Sequence, residues 1–136
     1  QAVDLEGESR PLALDELEAM HQRKTGALIE ASMLLVARVT DDAEVEQRLS
    51  DFGRHIGLAF QIRDDILDVE GSTELLGKPS GSDVSSNKST FVSLLGVEAS
   101  RQRLQRELEQ AQSSLDNLVN ADALRWLADY IVSRSY

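Results

Sequence analysis

The chain has 136 residues, no cysteine, 41% hydrophobic and 28% charged residues, and a formal net charge of −10. Nucleic acid is excluded as a partner on charge, because its phosphates would be repelled, and no apolar run reaches the roughly 18 residues that span a bilayer. Aromatics make up 4% and there are two prolines, while Ala, Leu, Glu, Gln and Arg dominate. The expectation is therefore an all-α chain, a helical bundle, working without disulfides in the cytoplasm.

The sequence opens at Gln1 without a methionine, in a run that reads as a loop entered from something upstream. The expectation is one partial domain over residues 1–136. A first helix is expected from about Pro11 to Val39, with Ser9 as its cap and Pro11 in its first turn. Its apolar stripe would be Leu17, Met20, Ala27, Leu28, Ala31, Leu34 and Leu35, with Lys24 falling on the same stripe. A second helix is expected after Asp41, with Glu44 as a capping-box partner, running to about Val69. Val45, Leu49, Phe52, Ile56, Ala59, Ile66 and Leu67 would form its core face.

From 70 to 89 the composition turns to Gly and Ser, which reads as a loop with one helical turn near Thr73–Leu76. A short apolar helix follows at Thr90–Leu95. An amphipathic helix then carries Val97, Leu104, Leu108, Ala111, Leu115 and Leu118 in register. Asn120 would cap a last helix with Leu124, Leu127 and Ile131 inward, and Trp126 is read as a core residue.

The most informative segment is FQIRDDILD, Phe60–Asp68. At ~100° per residue, Asp64, Asp68 and Gln61 lie at about 80°, 120° and 140° from Ile56, with Asp65 flanking near 180°. Gly53 and Gly57 fall on this face too, so the expectation is an open wall leading to the carboxylates. Like charges three and four positions apart repel on a helix, and Asp is a poor interior helix residue. A hard divalent cation removes both objections, since Mg²⁺ is typically held by one or two carboxylates plus substrate phosphates. A solvated acidic face is the ordinary alternative, and the flanking glycines and apolar residues favour the cation site.

Two weaker signals accompany it. Lys24-Thr25-Gly26 sets a lysine where it either snorkels from a helix flank or meets a phosphate as a point charge. Lys78, Asp83, Asn87 and Lys88 lie in the Gly/Ser-rich segment, either a solvated loop or a lid over a bound anion. His21 and His55 have no metal-ligand spacing and are read as structural.

Taken in order, the opening Gln1–Asp4 run, KTG, FQ-x-x-DD-x-x-D, GK and NKST resemble the second half of the trans-prenyl diphosphate synthases, most closely the bacterial farnesyl diphosphate synthase branch. The resemblance covers essentially the whole chain and implies an isoprenoid synthase fold. It implies a Mg²⁺-dependent prenyltransferase that condenses an allylic diphosphate with isopentenyl diphosphate. Asp64, Asp65 and Asp68 resemble the second aspartate-rich motif, which serves one of three Mg²⁺ ions. Lys24, Thr25 and Gln61 resemble residues beside the diphosphate and the reacting carbon, and Lys78 and Lys88 resemble diphosphate-contacting lysines. The family is expected to be homodimeric. Its first aspartate-rich motif and isopentenyl diphosphate site have no counterpart here, so an N-terminal half is expected upstream and this piece alone is expected to be inactive. A noncatalytic regulatory or interaction subunit of the same family, and a geranylgeranyl diphosphate synthase, are the competing readings.

Overall fold

The computed structural model describes residues 11–76 and 88–135, with side chains described outside 72–76. The Ser9 cap, Lys78, Asp83 and Asn87 lie outside the described residues. Among the described residues the chain forms α1 (Leu14–His21), a π turn (Gln22–Gly26), α2 (Ala27–Ala37), α3 (Ala43–Leu76), α4 (Phe91–Leu95), α5 (Val97–Ser114) and α6 (Asp122–Ser133), and no strand. The all-α expectation holds.

Helix α3 is the axis of the bundle, packed chiefly between α2 and α5. Phe52, Ile56, Ala59, Ile62 and Ile66 line its buried side and meet Leu104, Ala111 and Leu115 of α5 in one core. Each fully buried large side chain contributes about 1.5–3 kcal/mol relative to exposure. The expected core faces of α3 and α5 are therefore observed except at Leu67 and Val97, which lie outside the core, and fully buried Ile62 joins them unanticipated.

The first helix differs from expectation in a way that matters. At Gln22–Gly26 the ladder widens, and Ala27 donates its N–H to the Gln22 carbonyl, five residues back. The extra residue rotates everything downstream against the ideal wheel. Leu28 and Leu35, expected on the buried stripe, are 73% and 74% exposed. Gly26 and Ala37 are buried instead, and Ile29 and Met33 pack against the core.

The glycine wall is also corrected. A Cβ on Gly57 would stand 3.0 Å from the Gly26 Cα, and one on Gly53 would stand 2.9 Å from the Glu30 Cα. The face expected to be open is filled by the backbone of the π turn and α2. These contacts also fix the pairing: α2 runs antiparallel to α3, with Gly26 beside Gly57 and Glu30 beside Gly53.

Several ends move. Asp41 takes φ 52°, and Asp42 caps α3 by accepting from the Glu44 N–H at 2.9 Å. Helix α3 continues to Leu76 rather than ending near Val69; Glu70, paired with Arg101 at 2.7 Å, ties this stretch to α5. Thr90 caps α4 by accepting from the Ser93 N–H at 3.0 Å, as a capping box with Ser93. Asn120, at φ 62°, is a turn residue rather than a cap, consistent with asparagine's tolerance of the left-handed region. Trp126 is 65% exposed and stacks on Tyr130, because its position on α6 lies off the face carrying Leu124, Ala128 and Ile131.

Candidate functional site

Asp64, Asp65 and Asp68 all occupy α3 and all are part-buried, but they face different neighbours. The Asp65 carboxylate accepts the backbone N–H of Phe91 at 2.7 Å. A carboxylate at the start of a helix satisfies a donor with no partner inside that helix. Phe91 is fully buried, and its ring stacks on His21 with centroids 5.6 Å apart. Immediately upstream, the Ser89 hydroxyl oxygen accepts from the Leu12 N–H at 2.8 Å. Residues 88–91 are thus seated by α1, by the approach to α1 and by the carboxylate helix. The segment begins with Lys88, which is exposed.

Asp64 points toward the end of α6, where it forms an ion pair with Arg134. Its side chain is 43% exposed, so oxygen lone pairs remain open to solvent. Asp68 follows one turn later. Among the described residues no group of three His, Cys, Asp or Glu side chains is placed to hold a metal ion by itself. Hard oxygen donors in this number fit Mg²⁺, which keeps several waters and uses few protein ligands; they do not fit an ion that demands a full protein shell.

Lys24 and Thr25 lie in the π turn, Lys24 exposed and Thr25 part-buried. Continuing the Gly26–Gly57 pairing brings Lys24 level with Ala59, about five residues or ~7.5 Å of helix axis from Asp64. Gln61 is part-buried in the intervening turn of α3. Along the axis of α3, Lys24, Thr25 and Gln61 thus precede the carboxylates, and Lys88 is joined to Asp65 through Phe91. Two further contributors escaped the sequence. Phe91 is foreshadowed only as an aromatic after NKST, and Arg134 has no local signature at all.

The histidines divide. His21 supports Phe91. His55 Nδ1 donates to Glu107 at 2.7 Å, Arg103 Nε donates to the same carboxylate at 2.7 Å, and Arg103 also reaches Glu18 at 3.0 Å. Burial alone would push the Glu107 carboxyl up, but the hydrogen bonds from His55 and Arg103 outweigh it and hold it below the usual carboxylate range. This network lines a groove of about 370 Å³ between α1, α3 and α5 that touches none of the three aspartates.

Residues 1–124 match the polyprenyl synthetase family. The chain is 48% identical over 139 residues to a farnesyl diphosphate synthase of Micrococcus luteus, covering 99% of this chain and 47% of that protein. The geranylgeranyl pyrophosphate synthetase of Pyrococcus horikoshii superposes with a TM-score of 0.88 at 29% identity, covering 98% of this chain and 54% of that one. A Helicobacter pylori geranyltransferase, solved with magnesium and isoprenyl diphosphate, superposes with a TM-score of 0.73 at 37% identity, covering 97% and 44%. The chain spans about half the length of the relatives it matches.

Proposed function

The chain belongs to the polyprenyl synthetase family, and from that premise we propose that the protein containing it is a Mg²⁺-dependent prenyltransferase whose product is farnesyl diphosphate. The observation that supports it best is the junction at Phe91. It links the Asp65 carboxylate, the helix leading into Lys24-Thr25 and the segment that starts at Lys88. Motifs spaced widely in the sequence are thereby tied together through one buried residue.

In this reading Asp64 and Asp68, flanked by Asp65, hold Mg²⁺ at the allylic diphosphate, serving one of the three ions the family resemblance implies. Mg²⁺, when bound, supplies electrostatic stabilisation for the charge that collects on the departing diphosphate. Lys24, Lys78 and Lys88 add cationic contacts to the same group, and Gln61 orients it. These lysines answer the problem set by a chain of net charge −10, which recruits an anion only through local cations. Thr25 sits beside the reacting carbon. The carbon–oxygen bond of the allylic diphosphate breaks with both electrons leaving on oxygen. The double bond of isopentenyl diphosphate attacks the resulting allylic cation, and loss of a proton restores neutrality. A cytoplasmic homodimer belongs to the same reading and rests on the family likeness.

The test is to incubate the full-length protein with dimethylallyl diphosphate, isopentenyl diphosphate and Mg²⁺, then size the dephosphorylated products. Farnesol is expected. Geranylgeraniol would reassign the product, and the absence of any elongated alcohol would remove prenyl transfer and favour a noncatalytic subunit.

A further inference from the structure

The end of α6 returns to the carboxylate helix at Arg134. Its guanidinium pairs with Asp64, donates to the Phe60 carbonyl at 3.3 Å and to the Ile131 carbonyl at 3.3 Å, and lies 4.2 Å from the centre of the Phe60 ring. The Arg134 carbonyl in turn accepts from the Arg63 guanidinium at 2.9 Å. Consecutive residues of α3, Arg63 and Asp64, thus grip the main chain and the side chain of one arginine.

The two partners of the ion pair are unequally held. The Arg134 side chain is 15% exposed and the Asp64 side chain 43%. Arg134 keeps two carbonyl acceptors and an aromatic face whether or not Asp64 is present, since Arg combines a rigid donor fork with stacking. Asp64 is the open member. Breaking the pair therefore leaves two of the arginine's hydrogen bonds and its ring contact in place, while its charge loses the carboxylate. The carboxylate, however, cannot give full charge to a guanidinium and a divalent cation together, and the two cations repel across it.

We propose that Arg134 is a positioning residue for Asp64, the resident counter-ion that holds this carboxylate until a divalent cation takes it. The proposal rests on reading Asp64 as a cation ligand. Cation binding at Asp64 is then an exchange: the carboxylate turns from the guanidinium to the ion, and Arg134 stays on the Phe60 carbonyl and ring. Removing the arginine's charge while keeping a donor for the Phe60 carbonyl makes the exchange easier. The gain is set by a partly exposed ion pair, roughly two- to fivefold in affinity.

Mn²⁺ binding to the full-length protein, followed by electron paramagnetic resonance at low ionic strength without diphosphate, tests this. Arg134→Gln should tighten the site that Asp64→Asn removes, Arg134→Lys should stay near the parent, and the double variant Asp64→Asn/Arg134→Gln should show no gain. If Asp64→Asn leaves Mn²⁺ binding unchanged, the ligand reading of Asp64 itself fails. If Asp64→Asn weakens binding but Arg134→Gln leaves it unchanged or weakens it, the ligand reading stands and the counter-ion proposal is overturned. A second measurement needs no Arg134→Gln protein: the Arg134 Nε–H resonance, assigned with Arg134→Lys, should shift on Mg²⁺ addition in the parent and stay still in Asp64→Asn. A resonance that does not respond in the parent also overturns the proposal.

Discussion

Phe91 donates its backbone N–H to the Asp65 carboxylate at 2.7 Å while its ring stacks on His21 at 5.6 Å. One residue thereby joins the acidic helix to the helix that enters the KTG turn, and carries Lys88 with it. Asp65→Ala leaves that buried N–H without its acceptor, and the expected loss is about 1–3 kcal/mol of stability in urea unfolding. Asp65→Asn, which keeps an oxygen acceptor, should recover most of it. Equal losses in the two variants would show that the hydrogen bond is not what Asp65 contributes to the fold.

A Cβ on Gly57 would stand 3.0 Å from the Gly26 Cα, close enough that the backbone of the π turn would have to give. Glycine to alanine inside a helix normally gains up to about 1 kcal/mol, whereas overpacking costs about 1–3 kcal/mol. Because the obstacle is backbone rather than the tip of a side chain, the steric cost should win. Gly57→Ala should lower the thermal midpoint and also slow turnover by displacing Lys24 and Thr25. A raised midpoint with unchanged kinetics would mean that α2 shifts without consequence.

Asp64→Ala in the full-length protein should reduce kcat by roughly 10²–10³, the scale for losing one preorganised electrostatic contact in a transition state, with the circular-dichroism spectrum unchanged. Lys24→Ala should raise KM for the allylic diphosphate about tenfold or more, as expected when a charged hydrogen bond of about 1.5–3 kcal/mol is lost. Steady-state kinetics read both. Near-normal turnover in Asp64→Ala, or unchanged kinetics in Lys24→Ala, takes that residue out of the site.

Glu107 is held below the usual carboxylate range because His55 and Arg103 outweigh its burial. A depressed folded value contributes stability above the unfolded value, and that contribution disappears as pH falls through the folded one. Glu107→Gln should therefore be less stable than the parent at neutral pH. The gap should narrow once the pH drops below about 4, where the unfolded carboxylate protonates. Urea midpoints across that range give the comparison, and a gap independent of pH would show that ionisation of Glu107 is not the source.

Much of this was written locally. The apolar periods of α3 and α5 survive because each helix is regular over its buried length, so counting at 3.6 residues per turn finds Phe52, Ile56, Ile66, Leu104 and Leu115. The Asp64–Asp68 motif is likewise legible, since it sits on one uninterrupted helix. Tertiary structure decided what such counting cannot reach. The π turn adds a residue to the ladder, which turns Leu28 and Leu35 outward and brings Gly26 against Gly57. The partners of Asp64 and Asp65 come from Arg134 and Phe91, 70 and 26 residues away. Long-range pairs of that kind leave no period in the sequence, because they depend on where separate helices end in space.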